Sequence, residues 1–439
     1  MLVGIFCVVS VSIRAYSQET QWKKHMAASA KAYQQGHYSD AEKSLIAALK
    51  EAEQFGPQDP RLAINLNNLA ELYRLQKKYV TAEPLYERSL AIMEKALGPG
   101  HPNVAATLNN LAELYRAQGR YAKAELLYKR SLAIMEKALG PGHPNVAGTL
   151  NNLAELYRAQ DRYAEAEPLY KQALAIREKA LGPEHQQVAE SLNNLAAIYL
   201  AQSKYSEAEA LFKRALAVWE KVLGLDHPHV ATSLNNLAEL YRTQGQYAEA
   251  EPLYKRALAL REKALGPEHQ QVTESLNNLA ELYRAQDRYA EAEPLYKRGL
   301  AIREKALGPE HQQVAASLNN LAELYRAQGQ YAEAEPLYKR SLAIMEKALG
   351  PEHQQVAVSL NKLASLYSVQ GRYPEAELHF KRSLVIWAKV LGLDHPHVAT
   401  SLENYAALLL KMNRKAEAAR LQGLAGAIRA KQTQRNPTK

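Results

Sequence analysis

Apolar residues recur along this chain at helical rather than strand spacing. Leu108, Leu111, Ala112 and Tyr115 fall at i, i+3, i+4 and i+7, which places them on one face of a helix. Ala124, Tyr128, Leu132 and Met135 repeat the pattern for a second helix. Between the two, "AQGRY" supplies a turn glycine, Gly119, and "GPGHP" breaks the chain before the pattern resumes. The spacing predicts a helical hairpin with helices of roughly 16 and 19 residues, about 24 and 28 Å long. In five second helices "AEPLY" puts a proline at one phase: Pro84, Pro168, Pro252, Pro294 and Pro336. A proline in mid-helix costs about 3 kcal/mol, so that helix is expected to start only about a turn earlier.

The hairpin is repeated. His101, His143, His185, His227, His269, His311, His353 and His395 stand 42 residues apart, with Asp59 in the slot one period earlier. This gives eight full repeats over residues 60–395. A degenerate helix pair at 18–59 precedes them, a degenerate capping pair at 396–429 follows, and 430–439 is expected to be a basic, disordered tail. Atypical ends suit a stacked array, whose terminal repeats have one face without a neighbour. No linker interrupts the period, so one elongated, all-α domain is expected. A longer period is also visible: Trp219 and Trp387 lie four repeats apart in nearly identical surroundings, as if a block of four had been duplicated.

Leu108, Leu111, Ala112 and Tyr115, followed by Ala124 and Tyr128, resemble the tetratricopeptide repeat, with Glu136 where its closing proline belongs. The 42-residue period, "HPNVAATLNNLAELYRAQGRYAKAE" and the closing "IMEKALG" are similar to the repeats of kinesin light chains. The resemblance covers roughly residues 20 to 429. It implies a right-handed superhelical solenoid of stacked antiparallel helix pairs whose first helices line a concave groove. No run of apolar heptads matches the coiled coil that joins kinesin light chains to their motor, so a motor role is not implied.

The N-terminus has its own pattern. Leu2 to Ile13 is a short apolar run, followed by Ala15 and Ser17 in the small-x-small form of a signal-peptidase site. Residues 1–17 are therefore expected to be a cleaved export signal, with a retained anchor and a chance apolar start as alternatives, since no Lys or Arg precedes the run. The run is too short for an ordinary transmembrane helix, and no membrane span is expected in the mature chain. Cleavage would remove Cys7, the only cysteine, leaving no thiol chemistry. The chain is then periplasmic or secreted; otherwise it is cytoplasmic.

Composition excludes more than it suggests. The chain is 47% apolar and 23% charged with net charge +9, but Arg429, Lys431, Arg435 and Lys439 concentrate the excess in the tail, and the repeats interleave acids with bases. That is a solvated mixed surface rather than a phosphate-tracking stripe, so nucleic acid is not the expected partner. No nucleophile elbow, phosphate loop or paired carboxylates appear, and no cofactor is expected. The periodic histidines lie in different repeats, about 10 Å apart per helix layer, too far for shared zinc ligation at about 2 Å. A structural part in the inter-repeat turn is expected of them, and no metal.

What remains is the face of the first helix opposite its core, centred on Ala106, Asn110, Glu113 and Ala117 and flanked by Asn109 and Arg116. Asn68, Asn110, Asn152, Asn194, Asn236, Asn278 and Asn320 form a ladder there, interrupted by Lys362 and resumed by Asn404. An amide both donates and accepts, so such a ladder can pair with the backbone of an extended peptide; it can equally tie neighbouring first helices together or merely reflect recent duplication. In kinesin light chains groove asparagines of this kind contact cargo peptides, and the resemblance implies the same use here. Arg116, Arg158, Arg242 and Arg284 join the wall, each spaced i+3 from a glutamate. Repeats four and eight lose both charges, with Ala197 and Leu200 in one and Ser365 and Ser368 in the other. The expected function is a non-enzymatic scaffold that holds a protein or extended peptide in the groove. The alternative is an assembly subunit that uses its end or convex faces. The oligomeric state is left open.

Overall fold

The computed structural model describes the backbone of residues 2–35 and 37–435, and side chains from 18 to 432 except Gly36. Among these residues there are twenty helices and no strand. Contacts divide the chain into two compact lobes, Met1–Leu211 and Phe212–Lys439. The first lobe holds α1 (Leu2–Gln34), α2 (Tyr38–Glu53), α3 (Pro60–Leu75), α4 (Tyr79–Leu97), α5 (Pro102–Ala117), α6 (Tyr121–Leu139), α7 (Pro144–Arg158), α8 (Tyr163–Leu181) and α9 (Gln186–Ala201). Helix α10 (Tyr205–Leu223) carries the boundary. The second lobe continues with α11 (Pro228–Thr243), α12 (Tyr247–Leu265), α13 (Val272–Ala285), α14 (Tyr289–Leu307), α15 (Gln312–Ala327), α16 (Tyr331–Leu349), α17 (Gln354–Val369), α18 (Tyr373–Leu391), α19 (Pro396–Lys411) and α20 (Lys415–Arg435).

The predicted lengths hold: α5 has 16 residues and α6 has 19. The periodic histidine explains where each first helix begins. His101 and His143 are extended residues whose imidazole Nδ1 accepts from the backbone N–H of Asn103 and Asn145, both at 3.1 Å. Asp59 does the same for Arg61 through its carboxylate, at 2.8 Å. Each is an N-cap that satisfies one of the donors a helix start leaves open. Second helices end at a glycine such as Gly98, whose φ of 86° lies in the left-handed region other residues avoid. Pro84 is the sixth residue of α4, slightly deeper than a single turn. Val80, the residue its missing N–H would have bonded, is 89% exposed.

Within each lobe, every helix packs on the next, and the first helices α3, α5 and α7, like α11 with α13 and α17 with α19, also touch one another. The faces read from sequence are the buried ones: Leu108, Leu111, Ala112 and Tyr115 in α5, and Ala124, Tyr128 and Met135 in α6, with Leu132 half-buried. The C-terminus differs from expectation. Residues 430–435, assigned to a disordered tail, extend α20, because Lys431 pairs with Asp394 at 2.8 Å and Gln432 donates to the Asp394 carbonyl. Only 436–439 of that tail lie outside the described residues. The backbone of α1 runs unbroken from Leu2, and the side chains of the expected export signal lie outside the described residues. No described helix is long and apolar enough to cross a membrane.

Candidate functional site

On the outward arc of α5, Ala106 and Ala117 are exposed, and Asn110 and Glu113 half-buried; Asn103, at the start of the helix, is exposed as well. Along the ladder Asn68 is exposed, while Asn110, Asn152, Asn194, Asn236, Asn278 and Asn320 are half-buried. Two members tie helices together. Asn110 donates to Asn67 Oδ1 at 3.1 Å, and Asn194 to Asn151 Oδ1 at 2.9 Å. The preceding asparagine ties the other way, as in Asn109 to Thr149 (2.9 Å) and Asn235 to Ser275 (3.1 Å). Asn152, Asn236, Asn278 and Asn320 make no side-chain hydrogen bond among the described residues. Lys362, which interrupts the ladder, donates to Glu323 across the joint at 2.8 Å.

The wall arginines belong to a three-residue unit. Arg116, Arg242 and Arg284 are half-buried and Arg158 exposed, and each pairs with the glutamate three residues earlier: Glu113, Glu239, Glu281 and Glu155, at 2.5–2.8 Å. The same carboxylates accept from the phenols of Tyr128, Tyr254, Tyr296 and Tyr170 on the second helices. Burial pushes those tyrosines far above their usual pKa, with the adjacent carboxylate adding to the shift. Burial also opposes the charge on Glu113, but the bonds from Arg116 and Tyr128 prevail and hold it below its ordinary value. Repeat eight drops the set together: Ser365 and Ser368 replace the ion pair, and buried Phe380 takes the tyrosine's place. Repeat four follows suit in sequence, with Ala197, a half-buried Leu200 and Phe212. A phenol without its carboxylate would be a buried donor without an acceptor.

Between α3 and α5, and between α17 and α19, lie crevices that the sequence reading missed. One second-helix residue forms the floor, Met93 in one and Trp387 in the other, and the residue at this position differs from repeat to repeat: Met93, Met135, Arg177, Trp219, Arg261, Arg303, Met345 and Trp387. The signal was present in "AIMEKAL", "AIREKAL" and "AVWEKVL", but the position reads there as core. Where this position is arginine, the guanidinium bonds to the following first helix: Arg177 donates to the Gln187 carbonyl and to Ser191 Oγ, both at 2.9 Å. Two crevices are open at this position. One, of about 190 Å³, is lined by Ile64 and Asn67 of α3, Met93, and Asn103, Ala106, Thr107 and Asn110 of α5. The other, of about 290 Å³, lies over Trp387 between α17 and α19, with Val358, Asn361, Lys362 and His397 among its walls. His397 lies beside the Trp387 indole, ring centres 4.7 Å apart.

The family model described as tetratricopeptide repeat matches overlapping stretches that run from residues 25–95 to 355–429. The chain belongs to the tetratricopeptide repeat family. Similar solved structures include a putative kinesin light chain from Podosopora anserina with nearly identical repeats, 32% identical, covering 47% of this chain and 97% of its own, TM-score 0.42. A Rap protein complexed with competence and sporulation factor is 17% identical over 86% of this chain and 98% of its own, TM-score 0.54. Aspartyl phosphate phosphatase F from Bacillus subtilis is 16% identical over 84% and 95%, TM-score 0.50. The last two are likenesses of fold. No curated protein sequence matches the chain.

Away from the wall, the charges of these tetratricopeptide repeats are used at the joints. Glu125, on the second helix of one repeat, accepts from Arg162 and Tyr157 of the next at 2.8 and 3.1 Å, and the Arg162 guanidinium lies 4.1 Å from the centre of the Tyr157 ring. Glu251, Arg288 and Tyr283 repeat this clamp in the second lobe. Burial opposes the charge on Glu125, yet Arg162, Lys129 and Tyr157 hold its pKa down to about 2. Glu251 is held at about 2, chiefly by Arg288 and Lys255.

Proposed function

We propose that this chain is a non-catalytic scaffold that holds a protein segment or extended peptide along the wall of its first helices. One observation carries the reading: both open crevices lie at the same register between neighbouring first helices, and each is lined by a ladder position, Asn110 in one and Lys362 in the other. At the ladder positions of other repeats, Asn152, Asn236, Asn278 and Asn320 are half-buried and make no side-chain hydrogen bond among the described residues, and peptide backbone supplies what they lack. The test is capture of host proteins by the full chain and by a variant with Asn152, Asn236, Asn278 and Asn320 all changed to Ala. Partners that bind the wild type and are lost by the variant, at unchanged melting temperature, support the groove. Undiminished capture by the variant favours an assembly role for the convex or end faces.

The reading includes export, with a mature N-terminus at Gln18, supported by the apolar run and the Ala15/Ser17 pattern. Terminal sequencing of protein from the native host checks it, and an intact Met1 would overturn it.

A further inference from the structure

Two neighbouring repeats of the second lobe carry an arginine at the floor position, and the two arginines are answered differently. Arg261 is 4% exposed; its Nη1 donates to the Gln271 carbonyl (3.3 Å) and Ser275 Oγ (3.1 Å) and forms an ion pair with Glu274 at 2.9 Å. Arg303 reproduces the neutral part of this arrangement, donating from Nη1 to the Gln313 carbonyl at 3.1 Å and to Ser317 Oγ at 2.8 Å. The carboxylate is missing. The residue thirteen positions on, glutamate for Arg261 and also for Arg177 (Glu190, 3.5 Å), is Ala316 here. Arg303 forms no ion pair among the described residues, and its Nε, like that of Arg177, is buried without a partner. It is also the most open of the three, half-buried where Arg177 and Arg261 are closed over. Burial pushes its pKa down, with only the field of Glu274, already bonded to Arg261, opposing.

A guanidinium withdrawn from water without a counter-charge is unfavourable, and its planar fork suits a carboxylate. The wall beside it has the same imbalance. Arg284 is answered by Glu281, but Arg326 and Lys362 must share Glu323. We propose that the half-buried Arg303, beside Ala316, is a carboxylate-receiving subsite, in which an Asp or Glu side chain of the bound peptide takes the place that Glu274 fills beside Arg261. The proposal rests on the groove reading and names the chemistry of its occupant.

The experiment pans a phage-displayed random dodecapeptide library on the full chain and on two variants. Ala316→Glu installs the internal carboxylate found beside the other two arginines, and Arg303→Met installs the residue found in three other repeats. The wild type is expected to select peptides with an acidic residue at one fixed position, and both variants to select without it. For a synthetic wild-type-selected peptide, changing that acid to its amide should weaken binding on the order of tenfold or more in the wild type and leave binding to Arg303→Met unchanged. Circular dichroism melts of the variants must match the wild type, and if Ala316→Glu fails to fold, Arg303→Met carries the test. An equal loss in wild type and Arg303→Met, or selection without an acidic preference, overturns the subsite and leaves the groove standing. Failure of the wild type to select any peptide overturns both.

Discussion

At the residue scale, the periodic histidine shows how one position can be legible in place and hidden in role. Its spacing marks the turn, but nothing in the spacing shows that Nδ1 rather than a metal or a packing contact is at stake; Asp59, in the same slot with the same bond, is the clue. An imidazole that accepts at Nδ1 must be neutral there, with its proton on Nε2. Changing His143 to Ala is expected to cost about 1 kcal/mol of stability, read by urea denaturation, whereas His143→Asp should retain most of it; equal losses would show that packing rather than capping matters. The Tyr–Glu–Arg set gives a second residue-scale test. Glu281→Ser should destabilise by about 1–3 kcal/mol because the Tyr296 phenol loses its acceptor while buried. Adding Tyr296→Phe should recover part of that loss, since repeat eight already pairs Ser365 with Phe380. No recovery would mean that the glutamate acts through the arginine alone.

At the scale of two packed helices, the repeats vary in compensating pairs. Thr273 on α13 stands where the first helices of all other full repeats have alanine, and Gly299 on α14 where the second helices have serine or alanine. A Cβ added at Gly299 would meet Thr273 Cγ2 at 3.1 Å and Asn277 Oδ1 at 3.3 Å, so the larger residue on one helix requires the smaller on the other. The pair is poor on both sides: Thr273 Oγ1 is buried without a partner, and a helical glycine costs about 1 kcal/mol relative to alanine. Gly299→Ala alone should therefore gain little or lose, while Thr273→Ala with Gly299→Ala should exceed the sum of the single changes in denaturation midpoint. Strict additivity would show that the helices are not in contact there. Such pairs also mark what was legible in the sequence. The elements, their lengths and their buried faces follow from a period of 3.6 inside a period of 42, because both are local. The crevice floors, the joint clamps and the ties of Asn110 and Asn194 depend on which side chain of the next repeat arrives opposite, and one repeat read alone does not contain that. The helical stretch at 430–435 was missed for the same reason, since it is held by Asp394 of the preceding turn.

At the scale of the whole chain, stability is a sum over repeats and joints, and the joints respond to acid. Glu125, Glu251, Glu323 and Glu377 are each held at about 2, well below an unfolded glutamate near 4.3. A depressed carboxylate stabilises above its unfolded pKa, and that contribution is lost as pH falls toward the folded value. His227 and His353, both lowered chiefly by burial, carry the same sign from about 6.5 downward. The melting midpoint is thus expected to fall gently below pH 6.5 and steeply between about 4.3 and 2, and a midpoint unchanged down to pH 2.5 would contradict the clamps. Deleting residues 271–312 tests the sum itself. The excision keeps the register, so α12 meets α15 as α14 did, and Arg261 inherits Gln313 and Ser317 from Arg303. It also removes Arg288, leaving Glu251 opposite Gln330, and removes Glu274 from Arg261. The shortened chain should remain helical and melt cooperatively at a lower midpoint, with a shallower acid limb because one clamp is gone. A broad, non-cooperative melt would mean that this repeat cannot be exchanged for its neighbour, and that the differences at its floor position and joint carry stability the period alone does not provide.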